Sequence, residues 1–197
     1  MSANIALLLD ASARRWPDKT VLLQEGEAID FKTLERRAGG FANMLAGRGI
    51  GCGDRIAIQV HNRLSFVTAL WGGLKSGAAV APLNERLLSD ELDKITADLD
   101  PALVIKEVDQ SEAEFDSVET DREDPAIILY TSGSTGAAKG VLLSHGATDF
   151  ALESWKKPVM NLASDDIVLS ALPLAHSLGI FGSVMAPLLA GACVVFL

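Results

Sequence analysis

The chain has 197 residues, 49% of them apolar, and carries 17 Lys and Arg against 26 Asp and Glu, a net charge of −9. That length allows one large or two small domains with a sizeable core. The acidic balance makes nucleic acid and anionic membranes poor partners. Cys52 and Cys193 stand far apart without ligand-like spacing, which argues against a sulfur-bound metal and for a reduced, cytoplasmic protein.

In chain order, a first helix is expected over Asn4–Arg15, stopped by Trp16-Pro17. The stretch MSANIALLLDASARR has no basic leader and its apolar run ends at Asp10, so no signal peptide is expected. A hairpin follows, with Val21–Gln24 and Ala28–Phe31 about a turn at Glu25-Gly26-Glu27. Thr33 is expected to cap a helix to Arg48, ended by Gly49 and Gly51. Strand Arg55–Val60, helix Ser65–Lys75, strand Ala79–Pro82, helix Ser89–Asp98 and strand Ala102–Lys106 alternate in the manner of helices packed on a mainly parallel sheet. From Lys106 to Asp124 there are nine acidic and two basic residues, a net of −7, expected as a solvated, partly mobile connector. The expected organisation is therefore a first α/β portion at 1–106, an acidic connector at 107–124 and a second portion of the same domain at 125–197.

The second portion opens with apolar strands at 125–131 and 141–144, both expected to be buried, around YTSGSTGAAKG at Tyr130–Gly140. A helix from Gly146 to about Met160, a strand at Asp166–Ala171, the turn PLAHSLG, a helix over about Leu178–Leu189 and a last strand ACVVFL complete the pattern. The 31 residues from Ile167 to Leu197 contain no Asp, Glu, Lys or Arg. Pro173, His176, Pro187 and three glycines divide that run into pieces suited to strand, helix and strand, so no membrane span is expected.

The segment after Tyr130 gathers the hydroxyls of Thr131, Ser132, Ser134 and Thr135, three glycines and Lys139. Glycines let the backbone approach an anion, hydroxyls donate hydrogen bonds, and lysine adds a compact positive charge. An ordinary flexible turn has a similar composition, but such a turn rarely sits between two strongly apolar strands. The Walker phosphate loop is excluded by spacing: Ala138 precedes Lys139 and Gly140 follows it, where that loop requires Gly-Lys-Ser/Thr and opens into a helix.

YTSGSTGAAKG followed by VLLSH resembles the phosphate loop of the adenylate-forming superfamily, which includes acyl- and aryl-CoA synthetases, firefly-type luciferases and peptide-synthetase adenylation domains. Ala138 replaces the usual proline. GDRIAI, FVTALWGGLKSGAAVAPLN and the loop also follow in the family's order, so the resemblance covers essentially the whole chain but only the first part of the family's length. It implies layered, mainly parallel sheets packed with helices, forming an incomplete N-terminal domain. It implies an enzyme that joins a carboxylic acid to the α-phosphate of ATP with Mg²⁺, releases pyrophosphate, and passes the acyl group to coenzyme A.

By that resemblance Thr131, Ser132, Gly133, Ser134, Thr135, Gly136 and Lys139 contact the β- and γ-phosphates, and Thr135 lies near Mg²⁺. Out of this context Lys139 is an ordinary solvated lysine. Pro173–Gly179 resembles the family's Pro-Leu-x-His-x-x-Gly segment, in which His176 borders the acyl pocket; Ala175 stands where an aromatic residue is frequent, which widens the pocket. Without the motif His176 reads as a hydrogen-bonded core histidine. His145 is expected to be structural, capping the next helix or the strand end. Arg86 in PLNERL is expected to pair with a carboxylate, and His61, Asn62 and Arg63 to be loop residues.

The family's magnesium-binding glutamate, ribose-binding aspartate and adenylation lysine lie later in its sequence. No complete catalytic set is therefore expected here, the remaining C-terminal part of the parent chain is the expected partner, and the 197 residues alone are expected to be inactive. A nucleotide-binding or interaction module without catalysis and a peptide-synthetase adenylation domain are the rival readings.

Overall fold

The computed structural model describes residues 3–132 and 138–197. Its first helix, α1, covers Ala6–Arg15. The hairpin strands are β1, Thr20–Gln24, and β2, Glu27–Asp30. Glu25 and Gly26 both have positive φ, 52° and 87°, the geometry that matches the twist of a two-residue hairpin turn. Phe31 opens helix α2, Phe31–Ala46, instead of ending the strand. Its cap is Asp30, whose carboxylate accepts from the Thr33 N–H at 2.7 Å. Thr33, expected to be the cap, is instead the residue whose free amide the cap satisfies.

Strand β3 (Arg55–Ile58), helix α3 (Arg63–Lys75), strand β4 (Ala79–Pro82), helix α4 (Ser89–Leu99) and strand β5 (Leu103–Ile105) follow as alternating units. Asn62 caps α3 by accepting from Ser65 N–H at 2.9 Å. Strands β6 (Pro125–Ser132) and β7 (Ala138–Ser144) form an antiparallel pair. Helix α5 covers His145–Ser154 and is capped by Ser144, which accepts from Ala147 N–H at 3.2 Å. Continuing it, Trp155–Val159 is a π-helical turn containing Pro158. Strand β8 (Ile167–Ser170), a π-helical segment (Leu178–Met185), helix α6 (Ala186–Ala190) and strand β9 (Cys193–Phe196) complete the described chain.

Two sheets result. One has the order β2-β1-β9-β8 and the other β5-β3-β4-β6-β7, parallel throughout except for the β1–β2 and β6–β7 pairs. Helix α3 lies between them and touches β1 of one and β3 and β4 of the other. Its sequence, RLSFVTALWGGLK, is apolar on every side, as a helix with two covered faces requires; from Phe66 to Lys75 every residue is buried. Helix α4 lies on the opposite face of the second sheet, closing a smaller cluster of Ala57, Ala79, Ala81, Leu83, Ile95, Leu99 and Ile128.

Lys75 ends α3 with its side chain only 1% exposed. It pairs with Asp10 of α1 at 2.7 Å and Glu35 of α2 at 2.8 Å, and donates to the Phe115 carbonyl at 3.1 Å. A buried ammonium needs such a complete set of partners. The acidic segment around Phe115 forms no helix or strand between Ile105 and Pro125, yet it does not hang free. Ala113 N–H donates to the Arg36 carbonyl at 3.0 Å, Val118 N–H to Lys75 at 2.9 Å, and Asn43 Nδ2 to Glu114 at 3.0 Å. Gly39 and Gly40 make this possible: a Cβ there would stand 2.2 Å and 2.0 Å from the carbonyl oxygens of Ala113 and Ser111.

Strand β7 is not the buried strand expected from VLL. Val141 is 48% and Leu142 54% exposed, because β7 is the outermost strand of its sheet. Among the described residues no helix is long and apolar enough to cross a membrane.

Candidate functional site

The site begins at the end of β6, where the pleat alternates side chains between two faces. Register pairs Tyr130 with Gly140, Thr131 with Lys139 and Ser132 with Ala138. Tyr130, Gly140 and Ala138 therefore share the face that meets α4, while Lys139 projects from the other. The Tyr130 hydroxyl donates to Asp98 Oδ2 of α4 at 2.7 Å. Burial, and then the Asp98 carboxylate, hold the phenol well above its ordinary range, with Arg55 opposing the shift. Lys139 is exposed and has no ion-pair partner among the described residues. Gly133, Ser134, Thr135 and Gly136 lie outside the described residues; Ser132 is placed by its backbone pairing only.

The second component is the turn Pro173–Gly179. His176 N–H donates to the Pro173 carbonyl at 3.2 Å, and the His176 carbonyl accepts from Ile180 N–H at 2.9 Å. The turn closes so tightly that a Cβ on Gly179 would stand 2.1 Å from the Pro173 oxygen. These bonds leave the His176 side chain exposed and Ala175 buried. The following segment is anchored by Ser183 Oγ, 2.8 Å from Ser170 Oγ of β8 and 2.6 Å from the Gly179 carbonyl. The structure thus places His176 at the surface of a cleft; it does not place it in the core.

Between the two components lies a cavity of about 320 Å³. Tyr130, Thr131 and Ala138 line one side, Ala175 and His176 another, and Pro82, Leu83, Asn84, Leu87, Glu91, Lys94 and Ile95 the remainder. It adjoins a second hollow of about 270 Å³ that shares Leu83, Asn84 and Ala175 and is bordered by Arg63, Phe66, Arg86 and Leu174. The structure brings Thr131 and His176 to one cavity, while Lys139 stands outside its lining. Sequence reasoning missed Glu91 and Lys94. On a helix of composition SDELDKITADL they read as a solvated face; both are indeed exposed, Glu91 accepting from Leu88 N–H at 3.0 Å, and the packing of α4 on the sheet sets them at the rim of the cavity.

The other singled-out residues take structural places. Arg86 Nε lies 3.9 Å from Glu85, and His61 Nδ1 lies 2.9 Å from the same carboxylate. His145 is fully buried, and its Nδ1 accepts from Ile5 N–H at 3.2 Å. Ser144, not His145, supplies the cap of α5. Burial lowers the His145 pKa, against a smaller opposing effect of Asp124, so the ring is a neutral acceptor at neutral pH. Among the described residues no three His, Cys, Asp or Glu are grouped to hold a metal ion.

The family model for "AMP-binding enzyme" matches residues 9–120 and 106–197. The chain belongs to this AMP-binding enzyme family. A feruloyl-CoA synthase from an Amycolatopsis species is 30% identical over 205 residues, covering 93% of this chain and 42% of that protein. An L-proline:L-prolyl-carrier protein ligase of Pseudomonas fluorescens is 28% identical over 166 residues, covering 68% of this chain and 33% of that protein. The crystal structure of ATP-bound MatB from Rhodopseudomonas palustris superposes over all of this chain and 45% of its own, with a TM-score of 0.87 and 26% identity. The chain thus spans less than half the length of these two curated relatives. The AMP-binding family accounts for the architecture of two mainly parallel sheets with α3 between them, which agrees with the fold class expected from the sequence.

Proposed function

We propose that this chain is the N-terminal, phosphate- and acyl-binding portion of an ATP- and Mg²⁺-dependent ligase that activates a carboxylic acid as its adenylate and transfers the acyl group to coenzyme A. The observation that carries the reading is the cavity that has Thr131, at the root of the glycine- and hydroxyl-rich segment, on one wall and His176 on another. In this reading Thr131, Ser132, Gly133, Ser134, Thr135, Gly136 and Lys139 hold the β- and γ-phosphates. Their donors and cation stabilise charge that gathers on the pyrophosphate leaving group. His176 and the buried Ala175 border the carboxylate's acyl portion, and Leu83, Leu87 and Ile95 supply apolar wall.

Mg²⁺ would be held chiefly by phosphate oxygens, as this ion prefers, with Thr135 the side chain assigned to it. Bound there, the ion neutralises phosphate charge; the described residues offer no separate cluster for it. The ATP-bound state of MatB supports nucleotide binding as the shared property.

The test is pyrophosphate release by the full-length gene product containing this chain, with ATP, Mg²⁺ and a panel of carboxylic acids, against the 197 residues alone. Release by the long form and none by the short is expected. Robust turnover by residues 1–197 would sink the division of labour. A second reading, acyl transfer to a carrier-protein thiol, is favoured by the similarity to the L-prolyl-carrier protein ligase. Comparing coenzyme A with a holo-carrier protein as acceptor separates the two. A binding module without catalysis predicts ATP binding but no pyrophosphate from any form.

A further inference from the structure

The β6–β7 hairpin is the last strand pair of its sheet, and β7 has no strand on its outer side among the described residues. Beyond Tyr130 and Gly140 its two arms are joined by backbone pairing of Thr131 with Lys139 and Ser132 with Ala138, and by a long contact of 3.5 Å from Thr131 Oγ1 to the Lys139 carbonyl. Neither ties the hairpin end to anything else. Among the described residues, one side-chain hydrogen bond runs from this end to another element, Tyr130 Oη to Asp98 of α4 at 2.7 Å. The Tyr130 ring also lies across the opposing strand: a Cβ on Gly140 would stand 3.2 Å from its Cζ and 3.3 Å from its Oη. The ring therefore bridges both arms and ends on a helix that lines the same cavity.

We propose that Tyr130 is a positioning residue for nucleotide binding, its hydrogen bond to Asp98 fixing against α4 the two strand ends that flank residues 133–137. The inference rests on the proposal that this segment grips phosphate. It adds a residue that touches no phosphate itself and acts through the backbone that presents the donors. A carboxylate accepts and the phenol must donate. Burial and Asp98 hold the phenol in its protonated form, so it keeps the hydrogen that the bond to Asp98 needs. Asp98, in the final turn of α4, accepts from Tyr130 at 2.7 Å, a polar partner that a purely packing role would not need.

The test uses the full-length gene product and two measurements. ATP·Mg²⁺ affinity is read by calorimetry, and amide hydrogen exchange at residues 131, 132 and 138–140 is read without nucleotide. Tyr130→Phe and Asp98→Ala should each weaken ATP binding about three- to tenfold, the loss of roughly one net hydrogen bond, and should speed exchange at those amides. Asp98→Asn keeps an acceptor and should stay within about twofold of wild type. Tyr130→Phe combined with Asp98→Ala should be no worse than either alone, since both remove one bond. The KM for the carboxylic acid should not move in Asp98→Ala, since Asp98 does not line the cavity. Unchanged affinity and exchange in Tyr130→Phe, or additive losses in the double variant, would overturn the positioning role while Lys139→Ala still weakened ATP binding. If wild type itself bound no ATP, the phosphate reading would fail and this proposal with it.

Discussion

One face of the five-stranded sheet packs on α3, buried continuously from Phe66 to Lys75, whereas the other carries α4 alone among the described residues and opens into the cavity. On the closed face even a charge is fully partnered: Lys75 is shared by Asp10, Glu35 and the Phe115 carbonyl. Around the cavity on the open face polar groups such as His176 and Lys94 are left exposed. The difference separates residues whose partners belong to the fold from residues whose partners must come from outside it. A variant on the closed face should cost stability, and one on the open face should cost binding at unchanged stability.

The largest effect is expected from Trp71→Ala, which removes a fully buried ring and should destabilise the chain by about 4 kcal/mol; thermal and urea melts of residues 1–197 measure it. Lys75→Ala leaves Asp10 and Glu35 facing one another without their cation and should cost about 3 kcal/mol. A loss below about 1 kcal/mol would dissolve the contrast between the faces. Lys139→Ala, at an exposed position of the edge strand β7, should leave the melting temperature in place and reduce adenylation by the full-length gene product about tenfold or more, the scale of one lost charge-assisted contact. An unchanged rate refutes its phosphate role.

Smaller still is a pH effect at His145. Its pKa is lowered in the folded state by burial, so the unfolded chain takes up the proton first. This contribution to stability is complete above the ordinary histidine value of about 6.5 and is lost as the pH falls below it. Melts between pH 5 and 8 should show that slope, and His145→Ala should flatten it. Least of all, Leu142→Ser on exposed β7 should change stability by no more than about 0.5 kcal/mol; a larger loss would mean that this face is covered.

The alternation of helices and strands was readable because each element carries its own period and stops. Val21–Gln24, Ala79–Pro82 and Ser89 onward fall where the pattern puts them. Failures occurred where a neighbour decides. VLL is as apolar as any core strand, and only its outermost position exposes it. Asp30 displaced Thr33 as a cap because the helix begins a turn earlier than its apolar stripe suggests. The π-helical segments at 155–159 and 178–185 follow continuous helix patterns and have no distinct composition. In the site, Thr131 and His176 were legible as motifs. Tyr130's tether and the place of Glu91 and Lys94 at the cavity rim depend on how α4 meets β6, a contact between positions more than thirty residues apart.

The segment that leads into α1 is bonded to residues that are made much later. Ile5 N–H donates to His145, Asn4 Nδ2 to the carbonyls of Leu74 and Val118, and Ala3 N–H to Thr120. During synthesis the Ile5 N–H must wait for its partner until His145 has left the ribosome. The segment therefore reaches its full set of bonds only late, and a bulky insertion at residue 3 would meet the backbone at Thr120 instead of open water.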